Sequence, residues 1–191
     1  MPSIDFFGER YTEPSDVVLV ATRAVASEVN FNYDQFTEAE MERAAPAYAD
    51  VDNVFVDHTY TRTGDDADRY EDGIDRSRSR GRVVASHYED GEIYLLIAVS
   101  KEWANLVDAI LTAKVNAVSM GCDCRTRCSV CGGEFDDLTP CPCGSCPTLI
   151  GSTAPDGTKV HDVLFDIDFY EISIVFTPAS PSALFYEVVA D

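Results

Sequence analysis

The hydrophobic positions of this chain fall into short, clearly bounded runs. Val17–Val25 is apolar almost without interruption, which predicts a strand buried on both faces. Val54–Val56 is a shorter apolar strand leading into His58. Arg82–Glu89 and Glu92–Val99 flank Asp90-Gly91, a strong signal for a two-residue hairpin turn. Thr37-Glu38-Ala39-Glu40 reads as a capping box opening a helix that Pro46 should stop near Ala45. Ser100 can cap a second helix over Lys101–Lys114, where Trp103, Leu106, Val107, Ile110 and Leu111 form one apolar stripe best explained as core packing. Val115–Gly121 predicts a short strand ending at Ser119-Met120-Gly121, and Val160–Phe176 carries two more strand-like runs. Pro178–Pro181 turns the chain into Ser182–Val189, a closing helix or strand. Tyr60–Gly81 is dense in Asp, Arg, Ser and Gly and reads as a mobile surface loop. The pattern predicts one α+β domain over residues 1–191, a small β-barrel or sandwich flanked by helices.

Composition sharpens this picture. The 191 residues are 46% hydrophobic, enough for one packed core. The longest apolar runs are far short of the ~20 residues a membrane helix needs. Met1–Arg10 lacks the basic-then-apolar pattern of a secretion signal, so a cytosolic site of synthesis is expected. A net charge of −20 argues against nucleic acid or an anionic membrane as partner. Asp outnumbers Glu, and only Lys101, Lys114 and Lys159 are lysines. Short carboxylates with few lysines suit a protein that stays hydrated in concentrated salt, where the Debye length is only ~3 Å.

The seven cysteines all lie between Cys122 and Cys146. Clustering, an odd number and no secretion signal favour metal over disulfides. Cys128-x2-Cys131 and Cys143-x2-Cys146 can each bend round one ion to give a tetrahedral thiolate site, with Cys141 an alternative to Cys143. The expectation is a zinc-knuckle insert over residues 122–150, with iron–sulfur the lesser option. Four thiolates leave no open position, so the zinc would be structural, contributing on the order of 10 kcal/mol to a segment with few apolar residues. Cys122 and Cys124 are left over, either as small buried residues or as overlapping ligands.

His87-Tyr88-Glu89 with Pro142-Cys143-Gly144-Ser145-Cys146 matches the H-x-E…P-C-x-x-C signature of zinc deaminases. The hairpin context of His87 and Glu89 opposes that reading, as does its failure to use Cys128 and Cys131. A general base near neutral pH is most often histidine, and His58 follows a strand into polar residues. Ser119 precedes Gly121 at an expected strand end, where a tight turn would offer backbone N–H groups to an oxyanion. Most Ser-x-Gly triplets are plain turns, however, so spacing alone says little.

The ordered set of segments is more informative. Phe36-Thr37 with Ala44-Ala45-Pro46, Val54-Phe55-Val56-Asp57-His58 and Gly81-Arg82-Val83-Val84 come first. Asn116-Ala117-Val118-Ser119-Met120-Gly121-Cys122 and Cys128-Ser129-Val130-Cys131-Gly132 follow. Phe169-Tyr170-Glu171-Ile172-Ser173-Ile174-Val175 and Pro178-Ala179 close the set. Together, from Gln35 to Leu184, they resemble the prohead (capsid maturation) serine proteases of tailed viruses, relatives of the herpesvirus assemblins. The resemblance implies an assemblin-like barrel. It implies Ser119 as nucleophile, His58 as base, backbone around Gly121 as oxyanion donor, and a third residue orienting His58. Glu171 is the first choice for that residue, with Asp168 and His161 as alternatives. It further implies major capsid protein and scaffold as substrates, self-cleavage, and a place inside the prohead in the host cytoplasm, with a homodimer among the assemblies to test. A halophilic composition points the resemblance to a haloarchaeal virus. The family's second metal-binding half often pairs Cys with a nearby His, and this chain has none there. The rival reading is a non-enzymatic zinc-ribbon component of a capsid or scaffold.

Overall fold

The computed structural model describes residues 1–59, 75–135, 150–154, 157 and 159–190. Residues 60–74 of the expected loop, and the half-knuckle carrying Cys141, Cys143 and Cys146, lie outside the described residues.

The chain is α+β, mostly strands. β1 (Ser3–Phe6) and β2 (Glu9–Thr12) form a small hairpin. β3 (Val17–Ala26) pairs antiparallel with β7 (Glu92–Ser100), which pairs with β6 (Gly81–Glu89). β11 (Phe185–Val189) closes the other edge, giving the order β11-β3-β7-β6. The second sheet centres on β8 (Ala117–Cys128) and β10 (Asp162–Val175), paired antiparallel along most of their length. β4 (Asp34–Phe36) and β5 (Val54–Val56) join β10 in parallel, and β9 (Glu134–Phe135) joins β8. Two α-helices accompany the sheets among the described residues, α1 (Glu38–Tyr48) and α2 (Ala104–Leu111).

The expected barrel is not present. The two sheets meet at corners, through a bridge between Ala117 and Leu184 and through Arg80 N–H donating to the Val54 carbonyl, without closing. Between them lies the main core, where Val18, Val20, Leu95 and Ile97 of one sheet share a cluster with Val118, Ile172 and Ile174 of the other and with Met41 and Tyr48 of α1. The alternate residues Leu19, Ala21, Leu96 and Ala98 face the opposite way and are covered by Ile4 and Phe6 of the β1–β2 hairpin. Burial on both faces explains the unbroken apolar run of β3.

Several elements follow the sequence. Asp90 (φ 49°) and Gly91 (φ 80°) take the left-handed conformations of a two-residue hairpin turn. Glu40 N–H donates to Thr37 Oγ1 at 3.4 Å, as a capping residue requires, but the other half of the box does not form, because the Glu40 carboxylate accepts from Arg43 and from Ile167 N–H instead.

Others depart from it. α1 runs through Pro46 to Tyr48. A proline in the last turn forfeits one intrahelical bond, and the fully buried Tyr48, stacked on Phe169 with ring centroids 4.1 Å apart, holds that turn in place. α2 starts at Ala104, and Ser100 caps only the preceding turn, accepting from Glu102 N–H. Its stripe is thin, with Ile110 buried and Leu111 exposed. The two strand-like runs after Val160 are one bulged strand, β10, in which Asp166 (φ 51°) occupies a register shift between Phe165 and Asp168. The closing segment is a strand, β11.

Candidate active site

The most consequential departure concerns Ser119. It stands three residues into a twelve-residue strand that continues through Gly121, Cys122 and Cys124 to Cys128. No turn follows Ser119, so Gly121 does not provide the tight turn expected of it, and the cysteine segment begins as sheet. Ser119 lies opposite Ser173, and Gly121 opposite Glu171. Directly opposed residues of an antiparallel pair share a face, as do residues two apart on one strand. Ser119, Gly121, Glu171 and Ser173 therefore share one face of the sheet.

His58 reaches this face from β5. Asp57 N–H extends the parallel pairing by donating to the Ile174 carbonyl, and the chain then turns sharply. Asp57 (φ 47°) and His58 (φ 54°) are both left-handed, and Thr59 N–H closes the turn on the Val56 carbonyl at 3.1 Å. Asp and His tolerate this region better than most residues, though not freely, and such local strain concentrates at functional sites. The turn is held by His58 N–H donating to Ser173 Oγ at 3.1 Å.

The imidazole meets a buried carboxylate: His58 Nδ1 lies 2.8 Å from Glu171 Oε1. Glu171 is 0% exposed, and its other oxygen accepts from Ser173 Oγ at 2.7 Å. Against an ionised Glu171, Nδ1 donates this bond, which in the neutral imidazole leaves the lone pair on Nε2. That is the tautomer a general base needs. The Glu171 hydrogen bond raises His58 above the ordinary histidine value, partial burial opposes this, and the charges of Glu171 and Asp57 add to it.

Gly121 makes room for this arrangement. A Cβ there would lie 2.6 Å from Glu171 Oε1 and 2.8 Å from its Cγ. Tyr48 fixes the same stretch from the helix side, its hydroxyl donating to the Glu171 carbonyl at 3.2 Å.

Ser119 and His58 both line a cavity of about 170 Å³, whose walls mix Ala24, Ala26 and Ala183 with Asn30, Asn32 and Asp34. A wider groove of about 500 Å³ also borders His58 and runs over Gly121, Cys122, Cys124 and Tyr170. The imidazole therefore borders both the cavity that the serine lines and an open groove.

The other candidates lie elsewhere. Asp168 is exposed opposite Asp123. His161 engages the Lys159 carbonyl through Nδ1 and Gln35 Oε1 through Nε2. Of the three proposed partners for His58, Glu171 is the one in contact. His87 stacks on Phe7 at 3.8 Å in β6, and Glu89 is exposed at the hairpin end. Sequence reasoning missed Ser173, whose signal was its place two residues after Glu171 on the same strand.

Cys128 and Cys131, the described half of the expected knuckle, share one tight turn. Cys128 Sγ accepts from Val130 N–H at 3.3 Å and Cys131 N–H at 3.4 Å, and Cys131 Sγ accepts from Gly133 N–H at 3.4 Å. Gly132 supplies the left-handed residue (φ 68°) that the bend requires. Backbone N–H groups aimed at both sulfurs from one tight turn are the donor arrangement of a zinc knuckle, so these residues fit a zinc ion. Among the described residues no three or more acidic, histidine or cysteine side chains converge on one metal position, and no helix is long and apolar enough to cross a membrane. No protein-family model matches the chain, and comparison with curated proteins and with solved structures returns no match.

Proposed function

We propose that this chain is a serine endopeptidase of the prohead-protease kind, with Ser119 as nucleophile, His58 as general base and Glu171 as the residue that orients the base. The observation that carries this reading is the His58–Glu171 hydrogen bond at 2.8 Å, buried at its carboxylate end and facing the cavity that Ser119 lines.

In the proposed reaction, His58 Nε2 takes the Ser119 hydroxyl proton as Oγ attacks a peptide carbonyl. The imidazolium, stabilised by Glu171, then gives that proton to the leaving amine. Water, deprotonated by the same histidine, hydrolyses the acyl-enzyme. Backbone N–H groups of the Ser119–Gly121 stretch polarise the carbonyl. The substrates in this reading are major capsid protein and scaffold inside a prohead, where high local concentration makes modest intrinsic activity sufficient. Concentrated salt would be its working medium, and zinc on Cys128, Cys131, Cys143 and Cys146 would hold the cysteine segment.

The test is co-expression with the neighbouring capsid protein in molar salt, as wild type and as Ser119→Ala, read by intact mass. Cleavage in the wild type that disappears in the alanine variant is the expected result. Identical, uncleaved masses from folded, zinc-loaded protein would refute it and favour the zinc-ribbon structural module.

A further inference from the structure

The catalytic strand carries two thiols that the proposed chemistry does not use. Cys122 is half-buried and Cys124 exposed, and both are free thiols. They stand two residues apart in β8, so strand alternation puts them on one face, and both line the groove beside His58. They also sense one another. Interaction with Cys124, reinforced by burial, raises the Cys122 thiol far above its ordinary value, whereas interaction with Cys122 lowers that of Cys124.

We propose that Cys122 and Cys124 form a reversible dithiol–disulfide switch, in which oxidation by a peroxide contracts β8 beside Gly121 and disturbs the His58–Glu171 pair. The disulfide chemistry stands independently of the proposed proteolysis; its regulatory consequence rests on that reading.

Strand geometry supplies the strain. Two residues of extended chain put the Cα atoms about 6.6 Å apart, near the upper limit of about 6.8 Å for a disulfide and above the preferred 5.5–6 Å. Closing the bond shortens the strand by roughly 0.6–1 Å. On the partner strand, register shifts between Phe165 and Asp168 and between Phe169 and Glu171 flank the residues paired with Asp123 and Cys122, so the local pairing can yield. One of these shifts adjoins Gly121, whose partner Glu171 crowds it so closely that the site of a Cβ lies only 2.6 Å from Glu171 Oε1. Displacement of the strand there reaches the carboxylate that holds His58. A disulfide strained in this way is more easily reduced than a structural one, which is the property a reversible switch needs.

The chemistry balances with hydrogen peroxide as oxidant. The exposed Cys124 thiolate attacks one peroxide oxygen, the O–O bond breaks, and a sulfenic acid forms with release of water after protonation. Cys122 sulfur then attacks the sulfenic sulfur, the S–O bond breaks, and a second water leaves, so two thiols and one peroxide give one disulfide and two waters.

The experiment uses the zinc-loaded full chain as wild type, Cys124→Ser and Cys122→Ser/Cys124→Ser. Each is treated with stoichiometric hydrogen peroxide and then dithiothreitol. Peptide mass mapping follows the cross-link, the NMR titration of His58 follows the pair, and labelling by a fluorophosphonate follows Ser119. The expected result in wild type is a Cys122–Cys124 cross-link, a displaced His58 titration and a labelling rate reduced by about tenfold or more, all reversed by dithiothreitol. Cys124→Ser, altered only at an exposed position, keeps its His58 titration under peroxide. Absence of the cross-link, or a cross-link that leaves the His58 titration unchanged, overturns the proposal. So does equal loss in wild type and Cys124→Ser with release of zinc, which would place the sensitivity in the knuckle. Failure of the reduced wild type to label would count against the serine-hydrolase reading instead, while the cross-link and the His58 titration still decide the switch.

Discussion

Gly121→Ala separates two roles for this glycine. If Gly121 serves only through its backbone N–H, alanine preserves that group and activity survives. The structure gives it a steric role. The added Cβ would lie 2.6 Å from Glu171 Oε1, 2.8 Å from Glu171 Cγ and 2.8 Å from Tyr170 Cε2. To reach ordinary contact at 3.4 Å the oxygen must withdraw by roughly 0.8 Å. The hydrogen bond to His58 is 2.8 Å long, so lengthening it by that amount breaks it. Overpacking of this kind costs about 1–3 kcal/mol, which lowers Tm by a few degrees per kcal/mol in a chain of this size. A misplacement near 1 Å in an orienting residue costs on the order of 10²-fold in kcat/KM. The decisive measurement is the NMR titration of His58, because its raised pKa is owed first to the Glu171 hydrogen bond. The variant should titrate closer to an ordinary histidine and label slowly with a fluorophosphonate. A folded Gly121→Ala protein with unchanged His58 titration and labelling within twofold of wild type would refute the steric role.

Activity should rise with pH through the His58 pKa, because the base works neutral, and that acid limb should be shifted upward from the ordinary histidine value. Glu171→Gln should move the limb to lower pH while reducing kcat/KM by several orders of magnitude, checked by a pH–rate profile. Stability has the opposite sign. A histidine raised in the folded state adds stability that is fully present below the unfolded value near 6.5 and is lost as pH climbs through the folded value. The effect should be small, since the side chain is 40% exposed, and urea melts across that window would measure it. Ser173→Ala removes a donor from a buried carboxylate and the acceptor of His58 N–H, so it should cost about 1–3 kcal/mol in denaturant unfolding and slow Ser119 labelling. Cys128→Ser should lose zinc and lower Tm, with metal content read by mass spectrometry; unaltered zinc stoichiometry would remove Cys128 from the ligand set.

The sequence by itself determined the local elements wherever one cause dominated. Asp90-Gly91 is a hairpin turn because both positions need positive φ and tolerate it. β3 is buried on both faces because its run is apolar on both. The order of His58, Ser119 and Glu171 along the chain was legible too, as was the cysteine spacing that predicts a knuckle at Cys128–Cys131.

Tertiary structure decided what those residues mean to one another. Pro46 stays helical because Tyr48 is locked against Phe169, an energy no local propensity contains. Ser119 lies mid-strand because β8 finds a partner in β10 over twelve residues, where the sequence suggested that a turn would intervene. Gly121 reads as a turn residue in isolation and proves to be the space a carboxylate occupies. Glu171, Asp168 and His161 are chemically plausible partners for the same base, and only the register of β10 against β8 and β5 brings one of them to 2.8 Å. Side-chain period and turn chemistry are properties of neighbouring residues, so a sequence carries them. Registers between strands more than a hundred residues apart, such as β5 with β10, depend on how whole faces are buried, and that is settled only when the sheets pack.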